Sequence, residues 1–439
     1  MWGVAVSHYQ VEGNDPCDWT NWEHSGRTRG EPCGDAVDSW TRYEEDALLA
    51  HRAGANSFRF SVSWSRVEPR RGQFDENALA RYRLFVDRLV AYDIEPVVTL
   101  FHYTHPLWFH AQTPWTSTAS VLAFSRFAGR VAEALGPAVR FWVILNEPLV
   151  FLLAGYLDAQ VPPGLADSRT LNNVFDNLLA AHCAAAGEIR VRIPHAAFSV
   201  AHNMMGFAPD RERNPLDGML ARTAHTMYNR GILEAFGTGR WKFLLPPATT
   251  IRGRRDELPA WTDAFGINFY SRLHLRCPGR TRVIGDFDYH DRTGHGLTDN
   301  GWEITPETLG ALIDEAAQID RPLLITENGL ADATDRFRPD FLRMHYDEIV
   351  KAEGRGIPVH GYFHWSLLDN YEWLDGYEPK FGLYSVDRST MVRTPRPSVE
   401  VFRELGRSFT GGVIPSVVEG SPAGTTLVHP RGIPRLRSE

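Results

Sequence analysis

Short apolar runs alternate with longer amphipathic segments along most of the chain. Eight of these runs are rich in β-branched and aromatic residues and have the length of buried strands. The predicted strands are Trp2–Tyr9, Ser57–Trp64, Glu95–His102, Val139–Asn146, Ala196–Asn203, Ala264–Tyr270, Pro322–Glu327 and Val359–Trp365. The segments between them have helical periodicity, and the predicted helices include Glu76–Tyr92, Ser120–Leu135, Leu171–Ile193 and Pro339–Gly354. Eight strands separated by helices predict an α/β fold with a single closed (β/α)8 barrel, the TIM barrel.

Four connections are longer than barrel closure requires, and each follows the carboxyl end of a predicted strand. They are Glu12–Trp40, Tyr103–Thr118, Gly206–Ala260 and Asp369–Arg393. Because the catalytic residues of such barrels lie at that end of the strands, we expect these long loops to surround a functional site on the C-terminal face.

The chain is predicted to divide into a barrel over residues 1–408 and a tail over residues 409–439. A total of 439 residues fits one barrel with inserted loops, since such barrels can exceed about 400 residues as a single domain. The tail is rich in Gly, Pro and Ser and has no hydrophobic periodicity, which is typical of a flexible extension.

Composition excludes several classes of partner. The net charge is −8 and both signs are interspersed, so we expect no nucleic-acid partner. No stretch approaches the roughly 18 apolar residues that a membrane span requires, so we expect no membrane association. The first residues lack the basic start and apolar run of a signal peptide, which favours a cytoplasmic protein. The oligomeric state stays open.

Cysteine and motif patterns predict neither a metal nor a cofactor. The four cysteines form no CxxC pair and have no histidine partners at metal-ligand spacing, so we expect free thiols. A disulfide between Cys17 and Cys33 is the alternative. The HExxH metal motif, the phosphate-binding GxxxxGK[ST] loop and the dinucleotide-binding GxGxxG turn are all absent.

Two glutamates lie at the ends of predicted strands, where side chains face the mouth of a barrel. Glu147 follows the fourth strand and Glu327 ends the seventh, and each lies beside an asparagine. A single glutamate of this kind is usually a surface residue or a helix cap, but a facing pair suits cleavage of a glycosidic bond. One carboxyl group donates a proton to the leaving oxygen, and the other, ionised, attacks the anomeric carbon.

Arg59, on the second strand, is a candidate to hold the attacking carboxylate in its ionised form. The alternative is an ion pair inside the barrel with a purely structural role. The two roles are compatible.

Several motifs together resemble the family 1 glycoside hydrolases, the β-glucosidase family. Asn146-Glu147-Pro148 resembles the acid/base signature, and Ile325-Thr326-Glu327-Asn328-Gly329 resembles the nucleophile signature. Further matching segments occur in family order around Trp2–Gly13, Phe58–Arg66, Gly266–Tyr270 and Trp365–Trp373. The resemblance covers roughly residues 1–408.

The resemblance implies a role for each matching residue. Glu147 is expected to be the general acid/base, and Glu327 the nucleophile that forms a covalent glycosyl-enzyme. Arg59 and Tyr270 are expected to contact the nucleophile, Trp365 to lie beneath the sugar ring, and Asn268 to steer Glu147 or line the pocket. The residues implied to bind substrate are Gln10, His102, Asn146, Asn268, Tyr270, Trp365, Glu372 and Trp373.

Three positions refine the expected substrate. Tyr103 follows the histidine of the third strand where the family often has Trp, which leaves the shape of the sugar pocket open. Glu372 stands where relatives that take 6-phosphorylated sugars have Ser and basic residues, and a carboxylate would repel a phosphate dianion. Glu147 excludes the thioglucosidase variant of the family, which has Gln there.

The sequence thus predicts a retaining, exo-acting β-glycosidase whose partner is a small β-glycoside. The expected reaction is hydrolysis of terminal non-reducing β-D-glucosyl residues, with galactosyl or fucosyl residues also accepted. One alternative is a transglycosidase that uses the same covalent intermediate. The others are a catalytically impaired sugar-binding barrel and a phosphoglycosidase.

Overall fold

The computed structural model describes residues 1–245, 249–277 and 286–409. Eight parallel strands form a closed barrel in which each strand pairs with the next along the chain and the last pairs with the first. The strands are β1 (Trp2–Ala5), β2 (Ser57–Ser61), β3 (Glu95–Phe101), β4 (Phe141–Asn146), β5 (Ala197–Asn203), β6 (Ala264–Phe269), β7 (Leu323–Asn328) and β8 (Val359–Trp365). The predicted (β/α)8 barrel is confirmed.

The predicted strands are all present, but β1 to β3 end earlier than the apolar pattern indicates. After β1 the chain turns into a short helix at His8–Glu12, and Trp64 begins another after β2. Ser63 caps this second helix by accepting a hydrogen bond from the backbone N–H of Arg66. The polar and aromatic residues at the predicted strand ends therefore lie in the loops above the barrel.

Fourteen α-helices occur in the described part of the chain. They are His8–Glu12, Asp18–His24, Ser39–Arg52, Trp64–Val67, Glu76–Ala91, Leu107–Gln112, Ala119–Leu135, Pro148–Leu152, Leu171–Arg192, Pro215–His225, Gly231–Thr238, Pro306–Ala316, Arg338–Gly354 and Ser398–Ser408. The four named predicted helices are confirmed within one or two residues at each end.

Helix Glu76–Ala91 shows how the pattern produces the barrel wall. Asp75 caps its first turn by accepting hydrogen bonds from the backbone of Asn77 and Ala78. Its buried residues recur three or four positions apart and therefore form one face: Ala78, Leu79, Tyr82, Phe85, Val86 and Leu89. That face belongs to the main hydrophobic cluster between the helices and the outside of the barrel.

The long loops contain secondary structure that the sequence did not predict. The connection Gly206–Ala260 contains two helices, Pro215–His225 and Gly231–Thr238, and an antiparallel strand pair, Arg240–Leu245 with Thr249–Arg254. Shorter strands occur at Gly206–Pro209, Arg272–Arg276, Asp286–Asp288, Tyr384–Asp387 and Val392–Pro395. The long loops at the carboxyl ends of the barrel strands therefore contain regular secondary structure.

No helix in the described ranges has both the length and the apolar character needed to cross a bilayer. All four cysteines carry free thiols, so Cys17 and Cys33 are not joined. The tail predicted for residues 409–439 lies, from residue 410 onward, outside the described residues.

Candidate active site

A cavity of about 250 Å³ opens at the carboxyl ends of the barrel strands. It is lined by Gln10, His102, Tyr103, Asn146, Glu147, Val150, Asn203, Met205, Tyr228, Tyr270, Trp302, Glu327, Trp365, Glu372, Trp373 and Phe381. Every residue that the sequence analysis assigned to the site lies on this lining, except Arg59 and Asn268. Both of these are fully buried and hydrogen-bond to lining residues from behind.

Glu327 lies on β7 with a donor on each carboxylate oxygen. Arg59 donates from Nη1 to Oε1 at 2.7 Å, and the hydroxyl of Tyr270 donates to Oε2 at 2.5 Å. The ion pair is buried, with the Arg59 side chain 1% exposed and that of Glu327 5% exposed. A cation and a hydroxyl together orient this carboxylate and match its negative charge.

Arg59 connects three elements of the barrel. Besides Glu327, its guanidinium donates to the hydroxyl of Thr99 at 3.1 Å, the carbonyl of Thr326 at 2.9 Å and Oδ1 of Asn146 at 2.6 Å. Because Oδ1 of Asn146 accepts from Arg59, its Nδ2 group is a donor, which lies 3.3 Å from Nε2 of His102 at the cavity wall. Arg59 therefore forms a buried ion pair inside the barrel, and its partner is the carboxylate predicted to be the nucleophile.

Glu147 has a different environment, although it lies in the same cavity. Its Oε1 accepts a hydrogen bond of 2.7 Å from Nδ2 of Asn268, and its Oε2 accepts one from the hydroxyl of Tyr103. Both donors are neutral. Burial, followed by the negative charge of Glu327, raises the pKa of the Glu147 carboxyl above its ordinary value. This carboxyl group therefore retains its proton to higher pH than an exposed glutamate.

The orientation of the Asn268 amide is set by a hydrogen bond to its oxygen. The hydroxyl of Thr326 donates to its Oδ1 at 2.7 Å, so its Nδ2 faces Glu147. Asn268 is not part of the cavity lining. It lies behind Glu147 and donates a hydrogen bond to it.

The opposite wall carries the other predicted substrate-binding residues. Nε2 of Gln10 donates to the carbonyl of Tyr371 at 2.6 Å, and Oε1 of Gln10 has no partner among the described residues. Nε1 of Trp365 donates to Glu372 at 3.2 Å, and burial raises the pKa of the Glu372 carboxyl. The His102 ring lies 6.2 Å from the Trp365 ring. This wall thus combines a flat apolar surface with polar groups that can bind hydroxyls.

Three residues around the cavity have left-handed backbones, at φ 72° for Tyr103, 48° for Glu147 and 48° for Trp373. Such conformations cost non-glycine residues about 1–3 kcal/mol and are concentrated at functional sites. No residue type in the sequence signals them, because none of the three is Gly, Asn or Asp.

Sequence reasoning missed part of the lining. The missed residues are Val150, Asn203, Met205, Tyr228, Trp302 and Phe381. Trp302 and Phe381 pack on Tyr270, with ring centroids 5.7 and 6.1 Å from its ring. Neither residue belongs to a motif that resembles the family. Contacts between distant parts of the chain bring both to the cavity.

One cluster beside the active site has the donors of a metal centre, because Asp18, His105 and His110 place three ligand atoms within 4.8 Å of one another. However, Nε1 of Trp115 donates to Nε2 of His105 at 2.6 Å, so the His105 proton must be on Nδ1. Nδ1 lies 2.9 Å from Asp18, to which it donates this proton. His105 then has no lone pair for a metal at Nδ1, and the cluster instead joins the loops after β1 and β3.

A closed (β/α)8 barrel with two unlike carboxylates in one small cavity at its C-terminal face is the arrangement expected of a glycoside hydrolase. Residues 1–409 match the family model described as Glycosyl hydrolase family 1. The chain belongs to this family and is a β-glycosidase.

Individual relatives agree with this assignment. The chain is 30% identical to a 1,4-beta-D-glucan glucohydrolase from Thermotoga neapolitana, over 91% of this chain and 95% of the relative. It is 30% identical to a bifunctional beta-D-glucosidase/beta-D-fucosidase from Bifidobacterium breve, over 92% and 96% of the two chains. Among solved structures, a beta-glycosidase from Pyrococcus horikoshii is similar with a TM-score of 0.82 and 32% identity, over 93% and 94% of the chains.

Proposed function

We propose that this chain is a retaining, exo-acting β-glucosidase that hydrolyses small β-D-glucosides through a covalent glycosyl-enzyme. Terminal β-galactosyl and β-fucosyl residues are further substrates. The observation that carries the proposal is the contrast between the two carboxylates: Glu327 is paired with the cation of Arg59, whereas Glu147 is bonded by neutral donors and has a raised pKa. This contrast supports a nucleophile and an acid/base in separate residues.

In the proposed first step, a Glu327 oxygen attacks the anomeric carbon while Glu147 gives its proton to the leaving glycosidic oxygen. The bond from carbon to the leaving oxygen breaks as the ester to Glu327 forms. In the second step, ionised Glu147 takes a proton from water, the water oxygen attacks the same carbon, and the carboxylate of Glu327 is released. Two inversions give net retention.

The shape of the cavity supports exo action. A volume of about 250 Å³ is below the range of about 300–1,000 Å³ that is usual for larger ligands, and it suits one sugar ring. Gln10 and Glu372 supply acceptors for hydroxyls, and Asn146 supplies a donor that we assign to the 2-hydroxyl, as the family resemblance implies. The names of the two relatives, a glucohydrolase and a glucosidase/fucosidase, favour a glucosyl unit with tolerance for fucosyl.

A panel of aryl β-glycosides tests this function. We expect the β-glucoside to have the highest kcat/KM, the galactoside and fucoside to be cleaved, and the 6-phosphoglucoside to be inert. Proton NMR should show the β-anomer of the sugar as the first product. A first-formed α-anomer would contradict the retaining mechanism, and preference for the phosphorylated substrate would contradict the proposed substrate class. Products extended by an added sugar acceptor would instead indicate a transglycosidase.

Replacing Glu372 with glutamine is expected to lower kcat/KM for aryl β-glucoside by roughly 2- to 10-fold, since the amide nitrogen cannot accept a hydrogen bond as a carboxyl oxygen can, and one such bond contributes about 0.5–1.5 kcal/mol. The amide can still accept the bond from Trp365, so the fold is preserved. Initial rates at low substrate concentration measure the effect. Glu378→Gln, at an exposed position of the same loop, is the matched control. Equal activity of the two variants would remove Glu372 from the substrate site.

A further inference from the structure

We infer that Tyr103 is a positioning residue for Glu147, whose carboxyl group its hydroxyl holds in place for proton transfer. This inference rests on the proposed role of Glu147 as the acid/base. The contact that carries it is the hydrogen bond from the Tyr103 hydroxyl to Oε2 of Glu147. Phenylalanine could not make this bond, and the tryptophan that the family often has here carries no hydroxyl.

The backbone at Tyr103 is held in an unfavourable conformation by its neighbours. Tyr103 follows His102 at the end of β3 with φ 72°, which bulky residues rarely adopt. The hydroxyl of the next residue, Thr104, is 2.8 Å from Nε2 of His8, and the backbone N–H of His105 donates to Asp18 at 2.8 Å. These bonds to the loop after β1 fix the chain immediately after Tyr103.

The ring of Tyr103 is held as firmly as its backbone. It packs edge-on against Trp373, with centroids 5.2 Å apart and planes at 83°, and edge-on against His102 at 5.6 Å. Since ring and backbone are both restrained, the fold itself aims the hydroxyl at Glu147. This pre-organisation distinguishes a positioning contact from a chance surface hydrogen bond.

The hydrogen bond has a predictable electrostatic effect. Tyr103 donates to the ionised form of Glu147 and therefore lowers its pKa, against burial and the charge of Glu327, which raise it. Arg59 already serves Glu327, so a neutral hydroxyl at Glu147 stabilises the carboxylate without a second cation. Together with Asn268 on Oε1, Tyr103 leaves neither oxygen of Glu147 free to rotate.

Tyr103→Phe tests the inference, because it removes the hydroxyl and keeps the ring. Loss of one hydrogen bond to the ionised carboxyl should raise the pKa of Glu147 by about one unit. We therefore expect the basic limb of the kcat/KM profile to move to higher pH by the same amount. At the pH optimum, kcat/KM should fall about 10-fold for alkyl glucosides, whose poor leaving groups need the acid, and change little for dinitrophenyl glucoside. An unchanged pH profile and an equal loss for both substrates would overturn the inference.

Tyr9→Phe is the matched control. The Tyr9 ring stacks on Trp373 at 5.8 Å, as a neighbour of the same indole, but its hydroxyl bonds Thr20 and touches neither carboxylate. We expect its pH profile to match that of the unaltered enzyme. A shift in Tyr9→Phe equal to that in Tyr103→Phe would assign the effect to packing on Trp373 and overturn the inference.

A double variant separates this inference from the proposed function. If Tyr103 acts through Glu147, adding Tyr103→Phe to Glu147→Ala should change the residual rate by less than about twofold, since coupled residues are not additive. A further 10-fold loss would show that Tyr103 acts independently and overturn the inference alone. Full activity of Glu147→Ala toward alkyl glucosides would instead overturn the acid/base assignment itself.

Discussion

Glu327→Ala is expected to abolish hydrolysis, with a loss of at least about 10⁴-fold, and added azide is expected to restore sugar transfer. Truncation leaves a space beside Arg59 and Tyr270, which have lost the anion that they bound. A small anion can occupy that space and attack the anomeric carbon from the side on which Glu327 acts. A single displacement of this kind inverts configuration, so NMR should identify an α-glucosyl azide.

The control for this prediction is Glu68→Ala. Glu68 is also a fully buried glutamate paired with an arginine, Arg126, but it lies outside the cavity. Its removal should lower the thermal unfolding midpoint without making activity depend on azide. The nucleophile assignment fails if Glu327→Ala gives a β-configured azide product, or if no concentration of azide restores turnover.

The barrel could be predicted because its signal is local and repeated. Each strand such as Leu323–Asn328 is buried on both faces, so it appears in sequence as a continuous apolar run that ends in polar residues. The same local rule located Glu147 and Glu327, since a strand end specifies which face of the barrel a side chain reaches. The position of the two carboxylates therefore followed from the chain order of the strands.

The contacts within the site could not be predicted in the same way. The bridge from Arg59 to both Glu327 and Asn146 joins three strands, and its geometry depends on barrel register rather than on any local pattern. The hydrogen bond of Tyr103 depends on a left-handed backbone that the loop after β1 stabilises from a distance. Sequence spacing specifies neither the backbone angle nor the distant partner.

The long loops illustrate the same limit on a larger scale. Their position after strand ends was predictable, but the helices inside Gly206–Ala260 were not distinguished from irregular chain. Tyr228 reaches the cavity from this region, Met205 from the position just before it, and Trp302 from the loop after β6. These residues are not part of the periodic pattern that predicts the strands and helices. Only the folded structure shows that they lie on the same cavity.

Glu147→Ala is expected to have an effect that depends on the leaving group. For alkyl glucosides, which need protonation of the leaving oxygen, kcat/KM should fall by about 10²–10⁴-fold, the usual contribution of a general acid. Dinitrophenolate leaves without a proton, so the first step with dinitrophenyl glucoside should be nearly unaffected, while water attack on the intermediate slows. Its kcat and KM should therefore fall together, and pre-steady-state measurements should show a burst of dinitrophenol.

The pH profile and the azide product then distinguish Glu147 from Glu327. In the unaltered enzyme the acid must be protonated, so kcat/KM falls as pH rises through the raised pKa of Glu147. Glu147→Ala should lack this basic limb with dinitrophenyl glucoside. Azide should accelerate turnover by Glu147→Ala, because it attacks the ester to Glu327. This second inversion gives a β-glucosyl azide, whereas Glu327→Ala gives the α-azide. An α-azide from Glu147→Ala would contradict the assignment, because only the nucleophile variant lacks the covalent intermediate. A retained basic limb would also contradict it, because the group that titrates there would still be present.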